Sequence, residues 1–239
     1  MVTAPLAPAT IPAGIRIYAI GDVHGCDDRL AAMHAAIAAD LAEYPIDHKL
    51  LIHLGDYIDR GPDSASVLDR LSRPIAGAPD LAVANLMGNH EDMLLNALAS
   101  NNRAEARHWL DNGGGETLAS WGLSWRDPPS AWAAGIPPTQ LGLLRGLEVV
   151  HRVGGYVFVH AGLRPGVPLL QQTRQDMLWI REPFLSFEGT LPAVAVHGHT
   201  PTHAPCVLAH RIGIDTGAVL GGPLTCAVLE EDRVAFLQT

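Results

Sequence analysis

Three times within its first 100 residues the chain repeats one arrangement: an apolar run, a glycine-bounded polar turn, then a helix. Arg16 to Ile20 leads into GDVHG (Gly21 to Gly25), and Leu30, Met33, Ile37 and Leu41 follow at helical spacing, with Asp27 read as the cap. Lys49 to Leu54 leads into GDYIDRG (Gly55 to Gly61) and a helix from about Asp63 to Leu71. Leu81 to Leu86 leads into GNHED (Gly88 to Asp92) and the helical run Met93 to Ala99. Right-handed crossovers lay the strands of such β-α-β-α-β-α units parallel. All three polar turns then fall at the carboxyl edge of one sheet, where open α/β sheets bind ligands.

The second half changes character. Glu148 to Val153, Tyr156 to His160, Ala193 to His197, Arg211 to Asp215, Leu224 to Glu230 and Arg233 to Leu237 read as strands with short connections. The pattern predicts a second, more antiparallel sheet packed on the first. Two of these strands also end in histidine, in VHAG at His160 and in HGHT at His197 and His199.

Composition narrows what the turns can serve. The 239 residues are 48% hydrophobic, enough for one large α/β domain or two small ones. A net charge of −9 argues against a general nucleic-acid or membrane-surface binder, which needs basic patches. Lys49 is the single lysine, set in HKLLIH, so no GK[ST] phosphate loop exists. Three cysteines, Cys26, Cys206 and Cys226, lack CxxC spacing and fit a reduced cytoplasmic protein. No run approaches the roughly 18 apolar residues of a membrane span. Residues 1–14 read as a loose arm, and residues 15–239 as a single domain. Within it, residues 112–138 combine Gly113-Gly114-Gly115, two Pro-Pro pairs and Trp121, Trp125 and Trp132. That segment is expected to be a long loop forming a substrate rim.

Asp22, His24, Asp56, Asn89 and His199 stand next to the glycines of these motifs, and His160 is separated from Gly162 only by Ala161. Carboxylate, imidazole and amide groups without thiolates suit Mn, Fe or Zn better than calcium or a soft metal. Six such groups are too many for one ion. A bridging carboxylate between two ions about 3.5–4 Å apart is a standard device for phosphate-ester hydrolysis. Clustered acids at one sheet edge would also repel one another without cations between them.

In order along the chain, GDVHG, GDYIDRG, GNHE, HAG and GHT resemble the phosphoprotein phosphatases among the calcineurin-like metallophosphoesterases, the bacterial and phage serine/threonine phosphatases above all. The resemblance runs from about Ile17 to Leu229. It implies an αββα sandwich of two mixed β-sheets flanked by helices. It implies two divalent ions, Mn²⁺ foremost with Zn²⁺, Fe²⁺ or Ni²⁺ as alternatives. Asp22 and His24 would bind the first ion, Asn89, His160 and His199 the second, and Asp56 both. Asp59 would orient His90 as general acid, while Arg60 and Arg181 (in LWIRE) would hold phosphate oxygens. The implied reaction is direct attack of a metal-bridging hydroxide on a phosphomonoester, phosphoserine or phosphothreonine in a protein or a small phosphate ester. The alternative is a diadenosine tetraphosphatase-like nucleotide pyrophosphohydrolase. Asp59 favours the phosphatase branch, since the resembling tetraphosphatases tend to lack an acid there. His197, alternating with His199, is expected to point away from the site, and His34 and His53 are expected to be structural.

Overall fold

A computed structural model describes residues 6–239. Its first three strand–helix units are β1 (Ile15–Ile20), α1 (Asp27–Glu43), β2 (His48–His53), α2 (Ser64–Leu71), β3 (Ala82–Asn85) and α3 (Asn89–Ser100). β1 pairs with β2 and β2 with β3, both in parallel, so the three polar turns do share one sheet edge. Asp27 opens α1 but makes no cap bond; its carboxylate takes both donors of Arg70 at 2.7 Å, tying α1 to α2.

Four short helices follow: α4 (Arg103–Trp109), α5 (Gly115–Ser120), α6 (Pro129–Gly135) and α7 (Pro138–Arg145), packed on α2 and α3. A π-type turn, Leu110–Gly114, joins α4 to α5. The expected long loop at 112–138 is therefore largely helical. Prolines open α6 and α7, where a missing N–H costs nothing. Trp109 and Trp132 bury their rings edge to face, 5.6 Å apart.

The remaining strands and α-helix are β4 (Val150–Val153), β5 (Tyr156–Val159), α8 (Arg174–Trp179), β6 (Val194–His197), β7 (Cys206–Leu208), β8 (Arg211–Gly213), β9 (Thr225–Glu230) and β10 (Arg233–Gln238). The second sheet runs β4-β5-β6-β8-β7, and its central pairs β5–β6 and β6–β8 are parallel. β7 was not expected. β9 and β10 do not join this sheet; β9 lies antiparallel to β1, with Cys226 opposite Ile20, and extends the first sheet to β10-β9-β1-β2-β3.

The sheets stack face to face between helical layers. Ile17, Ala19, Ile52 and Leu54 meet Phe158, Val196, Ile212 and Ile214 between the sheets. Tyr18, Ile20 and Leu51 point the other way, onto Leu30, Met33 and Ile37 of α1. Strand alternation divides one run of buried residues between two cores. Each fully buried side chain of this kind contributes roughly 1.5–3 kcal/mol. The described part of the supposed loose arm is also pinned: Ala7 N donates to Asp232 O at 2.7 Å, and Ile11 is buried. Residues 1–5 of that arm lie outside the described residues. Among the described residues no helix is long and apolar enough to cross a membrane.

Candidate active site

The site is built from backbone that most residues avoid. His24, Asp56, Asp59, Arg60 and His199 have φ of 46°, 53°, 74°, 69° and 67°, in the left-handed region. Such residues cost on the order of 1–3 kcal/mol each and persist only where the surroundings over-determine them. Here the turns brace one another. Val23 N and His24 N donate to Asp56 O at 3.1 and 2.8 Å, and Gly25 N donates to Tyr57 O at 2.8 Å. Glu91, wholly buried, accepts four backbone N–H groups. Gly88 and Asp56 reach its Oε2, both at 2.9 Å, while Tyr57 and Ile58 reach Oε1 at 2.7 and 3.2 Å. Gly88 has no alternative at its position, because a Cβ there would lie 2.1 Å from Asp56 Oδ1.

Around Asp56 two groups of donor atoms converge, each within 4.8 Å: His24, Asp56 and His90 on one side, Asp56, His160 and His199 on the other. Hydrogen bonds settle the tautomers. His24 Nδ1 faces Ile58 O at 2.8 Å and His160 Nδ1 faces Leu54 O at 2.9 Å, so each Nδ1 carries the proton and each Nε2 presents a lone pair inward. His160 Nε2 then faces Asn89 Oδ1 at 2.9 Å and Asp56 Oδ1 at 3.4 Å. These are three acceptors in one place. His199 Nδ1 also lies 2.9 Å from Asn89 Oδ1, and His199 Nε2 is buried without any partner. Facing acceptors and an orphaned ring nitrogen are resolved by a cation or by added protons.

The electrostatics agree. Asp22, Asp56, Glu91 and Asp215 are all at most 6% exposed. Burial, with the neighbouring carboxylates, pushes Asp22, Asp215 and Glu91 up, Glu91 to about 7. Asp56 is held well below the usual range: burial opposes this, but His160, His90 and His24 surround it. Burial drives His24 and His199 down to about 3, leaving them neutral and able to donate lone pairs. His160, despite its burial, is raised to about 9 by Asp56 and Asp22, so without a cation its Nε2 takes up a proton between the facing oxygens, and a cation would displace that proton. The donor set of carboxylate, amide and imidazole therefore fits divalent cations on both sides of Asp56.

Asp22 stands apart from both groups: its two oxygens accept from His199 N, each at 3.1 Å. It joins the two sheets at the site, and Gly198 is forced there because a Cβ would sit 2.0 Å from Asp22 Oδ1. In the group beside His24, His90 takes the place expected for Asp22. His90 Nδ1 donates to Asp59 Oδ2 at 2.7 Å, which turns Nε2 toward the centre, 3.9 Å from Asp56 Oδ2. Burial works against the imidazolium of His90, but Asp56 and Asp59 raise its pKa above the ordinary value. Arg60 places Nη1 and Nη2 at 3.0 and 2.9 Å from Nε2 of His24 and His90. Arg181 is exposed, just beyond α8, near enough to depress His199 further.

The structure thus brings together His24, Asp56, Asn89, His90, His160, His199, Asp59 and Arg60, with Asp22 beside them on the backbone of His199 and Arg181 on the exposed surface. His197 is buried but turns away, its Nδ1 on Gly198 O and its ring on Phe184. Sequence reasoning missed Glu91, although it lies in GNHED, because its partners are backbone groups. Asp215, at the end of the strand expected from Arg211, is also a buried acid beside Asp22 that carries no expected role. Trp109 and Thr117, which both bond Asp59, were also missed.

An αββα sandwich that gathers histidines and acids around one shared carboxylate at its sheet edges defines a metallophosphoesterase. The chain belongs to the calcineurin-like phosphoesterase family, matching it over residues 15–236. It is 33% identical over 222 residues to serine/threonine-protein phosphatase 1 of Salmonella typhimurium, covering 90% of this chain and 92% of that one. It is 30% identical over 178 residues to a symmetrical bis(5'-nucleosyl)-tetraphosphatase of Acidovorax, covering 74% of this chain and 50% of that one. The solved structure of a cold-active protein-tyrosine phosphatase from a psychrophilic Shewanella has a TM-score of 0.58 at 15% identity, covering 96% of this chain and 83% of that one. The protein is a phosphoester hydrolase of a family that uses a dinuclear metal centre.

Proposed function

We propose that this enzyme hydrolyses phosphomonoesters of poor leaving groups, phosphoserine and phosphothreonine among them, with manganese as the working metal. The observation that carries the reading is the Asp59–His90 hydrogen bond, 2.7 Å long between side chains at most 1% exposed. Dedicated proton delivery is worth most when the departing alkoxide is a strong base. Asp22, His24 and Asp56 would hold one ion, and Asp56, Asn89, His160 and His199 the other. Bound there, the ions supply Lewis-acid polarisation of the phosphoryl oxygens and a water of lowered pKa.

The chain's own groups do the rest. Arg60 would turn its N–H groups from His24 and His90 to the phosphoryl oxygens, and Arg181, near His199, would add a second guanidinium. Once Arg60 lets go, His90 Nε2 is free to hold a proton. As the phosphorus–oxygen ester bond breaks, that proton passes to the leaving oxygen, and solvent restores it. Asp59 keeps Nδ1–H engaged throughout. The turn at residues 111–113 and Glu116 line a cavity beside Arg60, which supports reading them as a substrate rim.

Initial rates with Mn²⁺ on nitrophenyl phosphate, a phosphoserine peptide and diadenosine tetraphosphate test the reading. Both monoesters should exceed the dinucleotide in kcat/KM. The names of the tetraphosphatase relatives make the dinucleotide the informative competitor. Its preferential cleavage would make the enzyme a nucleotide pyrophosphohydrolase.

A further inference from the structure

Asp59 is wholly buried, in left-handed backbone, and every polar atom it offers toward the helices α4 and α5 is engaged. Its Oδ2 accepts from Trp109 Nε1 at 2.8 Å as well as from His90 Nδ1 at 2.7 Å. Its Oδ1 accepts from Thr117 Oγ1 at 2.7 Å, while its own N donates back to Thr117 Oγ1 at 2.8 Å. Trp109 ends α4 and Thr117 lies in α5, on either side of the π-type turn. The turn itself holds the next residue, since Arg60 N donates to Gly113 O at 3.1 Å. Gly114 seats the tryptophan; a Cβ there would lie 2.5 Å from the indole ring.

We propose that Trp109 and Thr117 are positioning residues for proton transfer from His90, acting through Asp59. The inference rests on the phosphomonoesterase reading above. A carboxylate bonded on one oxygen alone can rotate about its Cβ–Cγ bond and lose its partner. Bonds at both oxygens stop that rotation and keep Oδ2 on Nδ1 of His90. The helical stretch 109–117 is thus part of the acid machinery and not a detached lid.

Trp109→Phe keeps the buried ring and removes only the N–H; Thr117→Val keeps the shape and removes the hydroxyl, and Thr117→Ser restores it. Each deletion should lower kcat on a phosphoserine peptide by about 10- to 100-fold, the usual cost of losing an orienting partner. Turnover of nitrophenyl phosphate should fall by less than about 3-fold, since its leaving group needs little protonation. Both ions should remain by elemental analysis, and KM should hold. On an Asp59→Asn background Trp109→Phe should add almost nothing, because the partner through which it acts is already impaired. Equal losses on both esters with a lower melting temperature, additive on the Asp59→Asn background, would show packing alone and overturn the assignment. So would Thr117→Ser failing to restore the peptide rate. A wild-type enzyme inactive on both esters would overturn the phosphomonoesterase reading itself, and this inference with it.

Discussion

Among the described residues, histidine rings are buried against one another in three places, and the contrast between them separates site from scaffold. In the core, His34 of α1 meets His53 of β2 with ring centroids 5.3 Å apart. At the site His24 meets His90 at 4.7 Å, and His160 meets His199 at 5.0 Å. The core pair is a closed chain. His53 Nδ1 donates to Asn85 Oδ1 at 2.8 Å, so its Nε2 accepts from His34 Nε2 at 3.0 Å, and neither ring leaves a buried nitrogen without a partner. The site pairs do the opposite. Two ring nitrogens crowd one amide oxygen, two share one guanidinium, and His199 Nε2 has nothing. Satisfied donors and acceptors make structure; unsatisfied acceptors converging on one point make a place for cations and substrate.

The largest effect should come from the atom both site groups share. Asp56→Asn replaces the common charge by an amide that bridges cations poorly. Both ions should be lost together, and with each ion worth several kcal/mol of transition-state stabilisation, turnover should fall roughly 10⁴-fold on every ester. Elemental analysis showing one ion retained at full occupancy would break the idea of a shared ligand.

His90→Asn tests whether the two histidines of the first pair differ in kind. It should keep both ions and slow a phosphoserine peptide by about 10²–10³-fold, with a much smaller effect on nitrophenyl phosphate. His24→Asn should instead weaken metal binding and slow both esters alike. A metal site emptied by His90→Asn would make His90 a ligand, as its place within 4.8 Å of His24 and Asp56 allows.

Glu91→Gln asks what forces the site's acceptors together. Glutamine offers one oxygen where Glu91 accepts from four N–H groups, and its own N–H₂ would face two of them. The left-handed turn at Asp56 should loosen, and metal affinity should drop about 10- to 100-fold in competition with a chelating dye. Unchanged affinity would mean that the turn holds its shape without the acid.

These residues also show how far the sequence could be read. The three motif turns were legible because their glycines and polar groups sit directly at the ends of apolar runs, and a parallel βαβ path carries them to one edge. Sheet membership of β9 was not. TCAVLE alternates in a way that fits either sheet, and only its distant pairing with β1 decides the matter. Residues 112–138 looked like loop because helices of six to eight residues show too little periodicity to be seen among prolines and glycines. Glu91, Trp109 and Thr117 were invisible as site residues for one reason. Their partners are backbone N–H groups or a carboxylate 50 and 58 residues away, and neither leaves a local pattern.

The core pair should give the smallest catalytic effect and a distinct signature of its own. Burial, aided by Arg70, lowers His34 to about 4; burial and then His34 lower His53 to about 3, both from an ordinary 6.5. The folded chain therefore binds fewer protons than the unfolded chain below pH 6.5. The stability tied to neutral rings is complete above 6.5 and is lost as the pH falls toward 4 and 3. Each ring loses about 1.4 kcal/mol per pH unit across that window, so the two should lower the melting temperature by roughly 8–15 °C between pH 7 and pH 5. A His34→Leu/His53→Leu variant should lose that share of the acid sensitivity, whatever its stability at pH 7. It should keep both ions and turn over nitrophenyl phosphate within about a factor of two of wild type, as expected for changes away from the chemistry. Calorimetry at both pH values decides it. An unchanged drop in the double variant would place the acid sensitivity with the other buried histidines and remove the distinction between a closed pair and an open one.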